Sequence, residues 1–79
     1  MVYRLHVQPA EGAVQVLPLA EGQDPDGVLA ALADAARRRE PAVVRVRRGG
    51  SEFDVTVNVP ALSYWYVDEF EGQKVMSMR

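Results

Sequence analysis

The chain has 79 residues, a net charge of −2 at pH 7 and no Cys. This length suits one small domain, and the lack of Cys excludes disulfides and Cys-based metal sites. No apolar run approaches the ~18 residues of a membrane-spanning helix, and no signal peptide is evident. We therefore expect one soluble, cytoplasmic domain over residues 1–79, whose residues after about 72 form a frayed tail or a short strand. A single Lys among nine basic residues suggests a bacterial or phage genome of high GC content.

The first two predicted elements are strands. Residues 1–7 alternate apolar with polar side chains, and a turn-forming stretch leads to a second strand over 13–19. We expect the two strands to pair as a hairpin. The alternation slips at Val16-Leu17, which indicates a bulge, and Pro18 cannot donate to a ladder, which indicates an edge strand.

The next predicted element is a helix. Asp24 is a suitable N-cap, and Pro25 occupies the first helical position. Asp34 and Arg38 form a favourable i,i+4 pair, and Pro41 forces the helix to end before it. The apolar residues that recur at helical spacing are Val28, Leu29, Leu32, Ala35 and Ala36.

A second hairpin is predicted around Gly49-Gly50, which suits a two-residue turn between strands over 42–48 and 51–59. Counting outward from the turn gives a register that pairs apolar with apolar residues and Arg with carboxylates. The pairs are Arg48 with Ser51, Arg47 with Glu52, Val46 with Phe53, Arg45 with Asp54, and Val44 with Val55. The predicted core comprises Leu5, Leu32, Val44, Val46, Phe53, Val55 and Val57.

The last predicted element is a strand that contains residues 64–67, although apolar residues across 62–70 also fit helical spacing. The element order ββαβββ predicts an α+β fold, a mainly antiparallel sheet with one helix packed on one face. We expect the sheet order 2-1-3-4-5. The opening ββα resembles a ubiquitin-like β-grasp, which is the alternative fold. The connection over 60–63 spans only ~14 Å, however, which is too short to bring the last strand to its position in a β-grasp.

The predicted sheet is wider than the helix that should cover it. Five strands span ~19 Å, whereas one helix with its side chains is only ~10–12 Å thick. We therefore expect an uncovered apolar strip near the last strand.

No catalytic residue, metal ligand, cofactor site or small-molecule substrate is evident, so we expect a protein that is not an enzyme. His6 is the only His and has no ligand set around it in sequence, so we expect an ordinary surface His. Ser51 and Ser63 lie in turns without a nearby base. No Gly-rich phosphate loop precedes a helix.

The most informative feature is the run Tyr64, Trp65 and Tyr66. In a strand, one side of this run is core and the other lies outside, and exposed aromatic rings are typical of protein interfaces. We expect a small non-catalytic protein-interaction or regulatory module, acting through self-association or docking on a protein partner, with no membrane contact. The alternative is a nucleic-acid-associated regulator that uses Arg37, Arg38, Arg39 and Arg48.

Overall fold

The computed structural model describes residues 2–70, and it has one helix packed against antiparallel strands. The α+β class, the element order and the strand over 64–67 are thereby confirmed. The expected tail or strand after about residue 72 lies outside the described residues. The elements are β1 (Val2–Pro9), β2 (Gln15–Pro18), α1 (Pro25–Arg38), β3 (Ala42–Arg48), β4 (Ser51–Val57), a 3-10 turn (Val59–Ala61) and β5 (Leu62–Phe70).

The first hairpin pairs β1 with β2 in an unbroken register, so the bulge predicted at Val16-Leu17 is wrong. The register shift lies instead between β1 and β5, next to Pro9. The backbone N–H of Leu19 donates to the carbonyl of Tyr3 at 2.9 Å. Because hydrogen-bonded and non-bonded pairs alternate along an antiparallel ladder, the neighbouring Pro18 falls in a non-bonded pair. Its missing N–H therefore costs no bond to β1.

The helix begins and ends as its sequence predicts. The side chain of Asp24 accepts a hydrogen bond from the Gly27 N–H at 3.2 Å, and Pro25 is the first helical residue. At the other end Arg39 adopts a left-handed conformation with φ of 59°, and its N–H donates to carbonyls in the last turn. The buried stripe consists of Val28, Leu32 and Ala35.

The second hairpin has the predicted register at every pair from Arg48↔Ser51 to Val44↔Val55. Phe53, however, is 41% exposed, so its predicted burial is wrong. Exposure decreases along this face of β4, through a half-buried Val55 to a buried Val57. The helix packs mainly on β3, β5 and the 3-10 turn, so the turn end of β4 lies beyond its cover.

The strands form two sheets, ordered β2-β1-β5 and β3-β4. An isolated bridge between Leu19 and Val46 joins them. The predicted order 2-1-3-4-5 is therefore wrong, because β5 pairs antiparallel with β1 and not with β4. The β-grasp alternative is also wrong, since the last strand does not lie between the first and third strands.

The short connection reaches β1 because it passes along the core. Val59 is buried at 1% exposure, and the Ala10 N–H donates to the Ala61 carbonyl at 2.9 Å. These contacts hold the start of β5 against the end of β1. One hydrophobic cluster unites both sheets and the helix: Leu5, Val7, Leu19, Val28, Leu32, Ala35, Val44, Val46, Val57 and Val59.

Candidate interaction surface

The aromatic run divides between the two faces of β5, as strand alternation requires. Trp65 is partly buried and packs against the hydrophobic core. Tyr64 and Tyr66 point the other way and are 52% and 46% exposed. The apolar residues of the last strand on the core side, Trp65 and Val67, are thus partly buried against the core. The exposed aromatic area lies on the opposite face.

That opposite face, here called the open face, carries Arg4, His6, Val16, Tyr64, Tyr66 and Asp68. The strand registers place these residues side by side: His6 lies between Val16 on β2 and Tyr66 on β5. The other side of this sheet carries the buried residues Leu5 and Val7, which belong to the same hydrophobic cluster as the helix residues Val28 and Leu32. The open face therefore has no helical cover in the described part of the chain.

Three rings form a ladder across the open face. The ring centroids of His6 and Tyr66 are 4.4 Å apart, with 4° between their planes. Tyr64 continues the ladder at 6.4 Å from Tyr66, with 17° between planes. Each exposed Tyr ring thus lies next to another ring in a near-parallel orientation.

A charged cluster lies at one end of this ladder. Arg4 donates two hydrogen bonds to the Asp68 carboxylate, from Nε at 3.2 Å and from Nη2 at 3.0 Å. His6 Nε2 lies 3.1 Å from Asp68 Oδ1. These hydrogen bonds from Arg4, and the additional contact with His6, hold the pKa of the Asp68 carboxyl below its ordinary value, against an opposing effect of burial.

The expectation that His6 is an ordinary surface residue is wrong. Its side chain is only 12% exposed, and its Nε2 atom is buried without a partner in good hydrogen-bond geometry among the described residues. His6 Nε2 therefore lies close to Asp68 without the geometry of an aligned hydrogen bond. Alternation along β1 predicts that His6 lies on the polar face of the strand. Its neighbours Tyr66 and Asp68 could not be predicted, because they depend on the β1–β5 pairing, which is absent from the predicted strand order.

The four Arg residues of the nucleic-acid alternative have separate roles in the structure. Arg37 and Arg38 both pair with Asp34, at 2.8 and 3.2 Å. Arg39 is the C-cap of the helix. Arg48 is the last residue of the seven-residue strand β3, so about 20 Å of strand separates it from the start of β3 beside the helix end. The structure therefore places Arg48 apart from the three consecutive Arg residues at the helix end.

The described residues contain no group of three or more His, Asp or Glu that could hold a metal ion. Over residues 2–70, no helix is long and apolar enough to cross a membrane. No protein-family model matches the chain, and neither the curated proteins nor the solved structures contain a match to it.

Proposed function

We propose that this protein is a cytoplasmic, non-catalytic protein-interaction or regulatory module that acts through self-association or docking on a protein partner. The observation that carries the proposal is the ordered ladder of half-exposed Tyr rings on the open face. Tyr64 and Tyr66 remain about half exposed while they stack on each other and on His6. A folded monomer gains little by leaving two rings in this state, whereas an interface would bury them.

The physical properties of Tyr favour this use. A Tyr ring supplies a large contact area with few rotatable bonds, and its hydroxyl remains able to form a hydrogen bond. Rings that are already stacked lose less conformational freedom when a partner binds, which lowers the entropic cost of association. The Arg4–Asp68 pair beside the ladder resembles the polar rim that surrounds the apolar centre of many interfaces.

Site-specific photo-crosslinking tests the proposal. A photoreactive phenylalanine analogue is placed at position 64, and the matched control carries it at Thr56, which is exposed on β4. We expect position 64 to crosslink one defined protein, or a second copy of the chain, in an extract of the source cells. An excess of unlabelled wild type should compete for the adduct, whereas an excess of the Tyr64→Ser, Tyr66→Ser double variant should not. Equal, non-competed labelling from both positions would contradict the proposal.

The nucleic-acid alternative is distinguished by heparin chromatography. Our proposal predicts weak retention, because Arg37 and Arg38 are both paired with Asp34 and the chain is net acidic. Retention that falls steeply with salt, and that disappears in the Arg37→Ala, Arg38→Ala variant, would instead support nucleic-acid binding.

A further inference from the structure

We propose that the free edge of β5 pairs with β5 of a second copy of this chain, antiparallel and around a twofold axis. The inference rests on the proposed function and names the partner: another molecule of the same protein. It concerns the backbone edge of the strand, which is distinct from the side chains of the open face.

The direction of the backbone groups on β5 follows from the first hairpin. The Leu19 N–H donates to Tyr3, so the N–H and C=O groups of Tyr3 point toward β2. Those groups alternate in direction from residue to residue, so those of Arg4 and His6 point toward β5. Their partners Asp68 and Tyr66 are therefore the residues of β5 that bond to β1.

The intervening residues of β5 consequently direct their N–H and C=O groups away from β1. These residues are Trp65, Val67 and Glu69. Among residues 2–70, β1 is the only strand paired with β5, so no described strand receives these groups. A row of outward-pointing backbone donors and acceptors is a template for another strand.

The composition of β5 lacks most features that usually block such pairing, and its two charged residues, Asp68 and Glu69, lie near the end of the strand. Over Leu62–Phe70 it contains no Pro, Lys or Arg, the residues that most often protect a strand edge. The register shift beside Pro9 disturbs only the first residues of the strand. From Tyr64 onward the edge is regular and long enough for a stable ladder.

A second copy fits this edge because β5 is complementary to itself. Centring the twofold axis on Tyr66 places that residue opposite its own copy, in a non-hydrogen-bonded pair whose side chains are closest. Each Tyr64 then lies opposite Asp68 of the second copy. On the core side, Trp65 lies opposite Val67, so apolar meets apolar. Moving the axis to Val67 would instead place the Glu69 carboxylate opposite Trp65, which the pairing of apolar residues disfavours.

Pairing of this kind would also enlarge the proposed interaction surface. Two three-stranded sheets would become one six-stranded sheet, about 24 Å across between its outer strands. Tyr64 and Tyr66 of both copies would then form one continuous row of four rings. The same contact would cover the free edge of β5 in each monomer.

A charge-swap experiment tests both the partner and the register. Tyr66→Lys and Tyr66→Glu each place like charges opposite one another across the twofold axis, and mixing the two variants places opposite charges there. By sedimentation equilibrium we expect the wild type to dimerise at micromolar concentration. Each variant alone should have a dimer dissociation constant at least about tenfold higher, and the mixture of the two variants should dimerise again. The matched control Thr56→Lys, on an exposed site of β4, should dimerise like the wild type.

Circular dichroism checks that both variants fold. If either is unfolded, Val67→Pro takes its place and should weaken dimerisation, because Pro removes an N–H that points away from β1 and leaves the hydrogen bonds to β1 in place. A strictly monomeric wild type, or a mixture that does not recover, would overturn the inference. If the wild type is monomeric but position 64 still crosslinks another protein, strand pairing is wrong and the proposed function stands. If neither contact is found, both are wrong.

Discussion

Replacing Leu32 by Ala is the most informative test of how the two sheets share one core. Leu32 has no exposed surface and lies in the cluster that contains β1, β3 and the 3-10 turn. Leu-to-Ala changes at such sites cost about 3–4 kcal/mol, from lost burial and from the cavity that remains. A chain of 79 residues has a total stability of about 4–12 kcal/mol. We therefore expect Leu32→Ala to lose a large part of the free energy of unfolding.

The matched control is Phe53→Ala, which removes a larger side chain from a site that is 41% exposed. Because much of that ring is already in water, we expect a loss of only about 1 kcal/mol. Urea unfolding followed by the fluorescence of Trp65 measures both changes, since Trp65 packs against the core. A loss for Phe53→Ala as large as that for Leu32→Ala would refute this assignment of the core.

Three further predictions follow from the strand pairing. The Nη1 atom of Arg45 and the Oδ1 atom of Asp54 are 3.0 Å apart, and both side chains are exposed. A double-mutant cycle measured by urea unfolding should therefore give a coupling energy of only about 0.3–1 kcal/mol. Additive effects of the two single substitutions would contradict the pairing. The lowered pKa of Asp68 means that its stabilising effect is present above the ordinary carboxyl pKa and is lost as the pH falls through the lowered value. Asp68→Asn should therefore cost about 0.5–1 kcal/mol at pH 7 and should flatten the loss of stability as the pH falls below the ordinary carboxyl pKa of about 4. An unchanged acid-unfolding curve would show that the Arg4 contact is not formed. Tyr64→Ser should lower the free energy of unfolding by only about 1 kcal/mol or less, measured by urea unfolding, because the ring is half exposed. A larger loss would show that Tyr64 serves the fold instead of an interface.

Local signals in the sequence predicted the elements but not their arrangement. The helix boundaries follow from Asp24 and Pro41, and the second hairpin follows from Gly49-Gly50, because capping and turn chemistry act over a few residues. The position of β5 depends instead on the burial of Val59, a long-range contact that no local pattern encodes.

The same limit applies to the candidate surface. Alternation along β5 predicted that Trp65 and the two Tyr residues face opposite ways, and the structure has this arrangement. The contacts of His6 with Tyr66 and Asp68 cross from β1 to β5, so they require the strand order. Composition alone suggested an isolated surface His, because its partners are about sixty residues away in the chain.

Amide hydrogen exchange as a function of protein concentration tests most directly whether the edge of β5 is a contact surface. The Tyr66 N–H points toward β1, so its exchange should be slow at every concentration, whereas the Trp65 and Val67 N–H groups point away from β1. Strand pairing between two copies predicts that Trp65 and Val67 exchange rapidly in dilute solution and become protected across the micromolar range. Exchange at these two amides that does not depend on protein concentration would contradict the account. Fast exchange would mean that nothing binds the edge, and slow exchange would mean that the chain itself covers it.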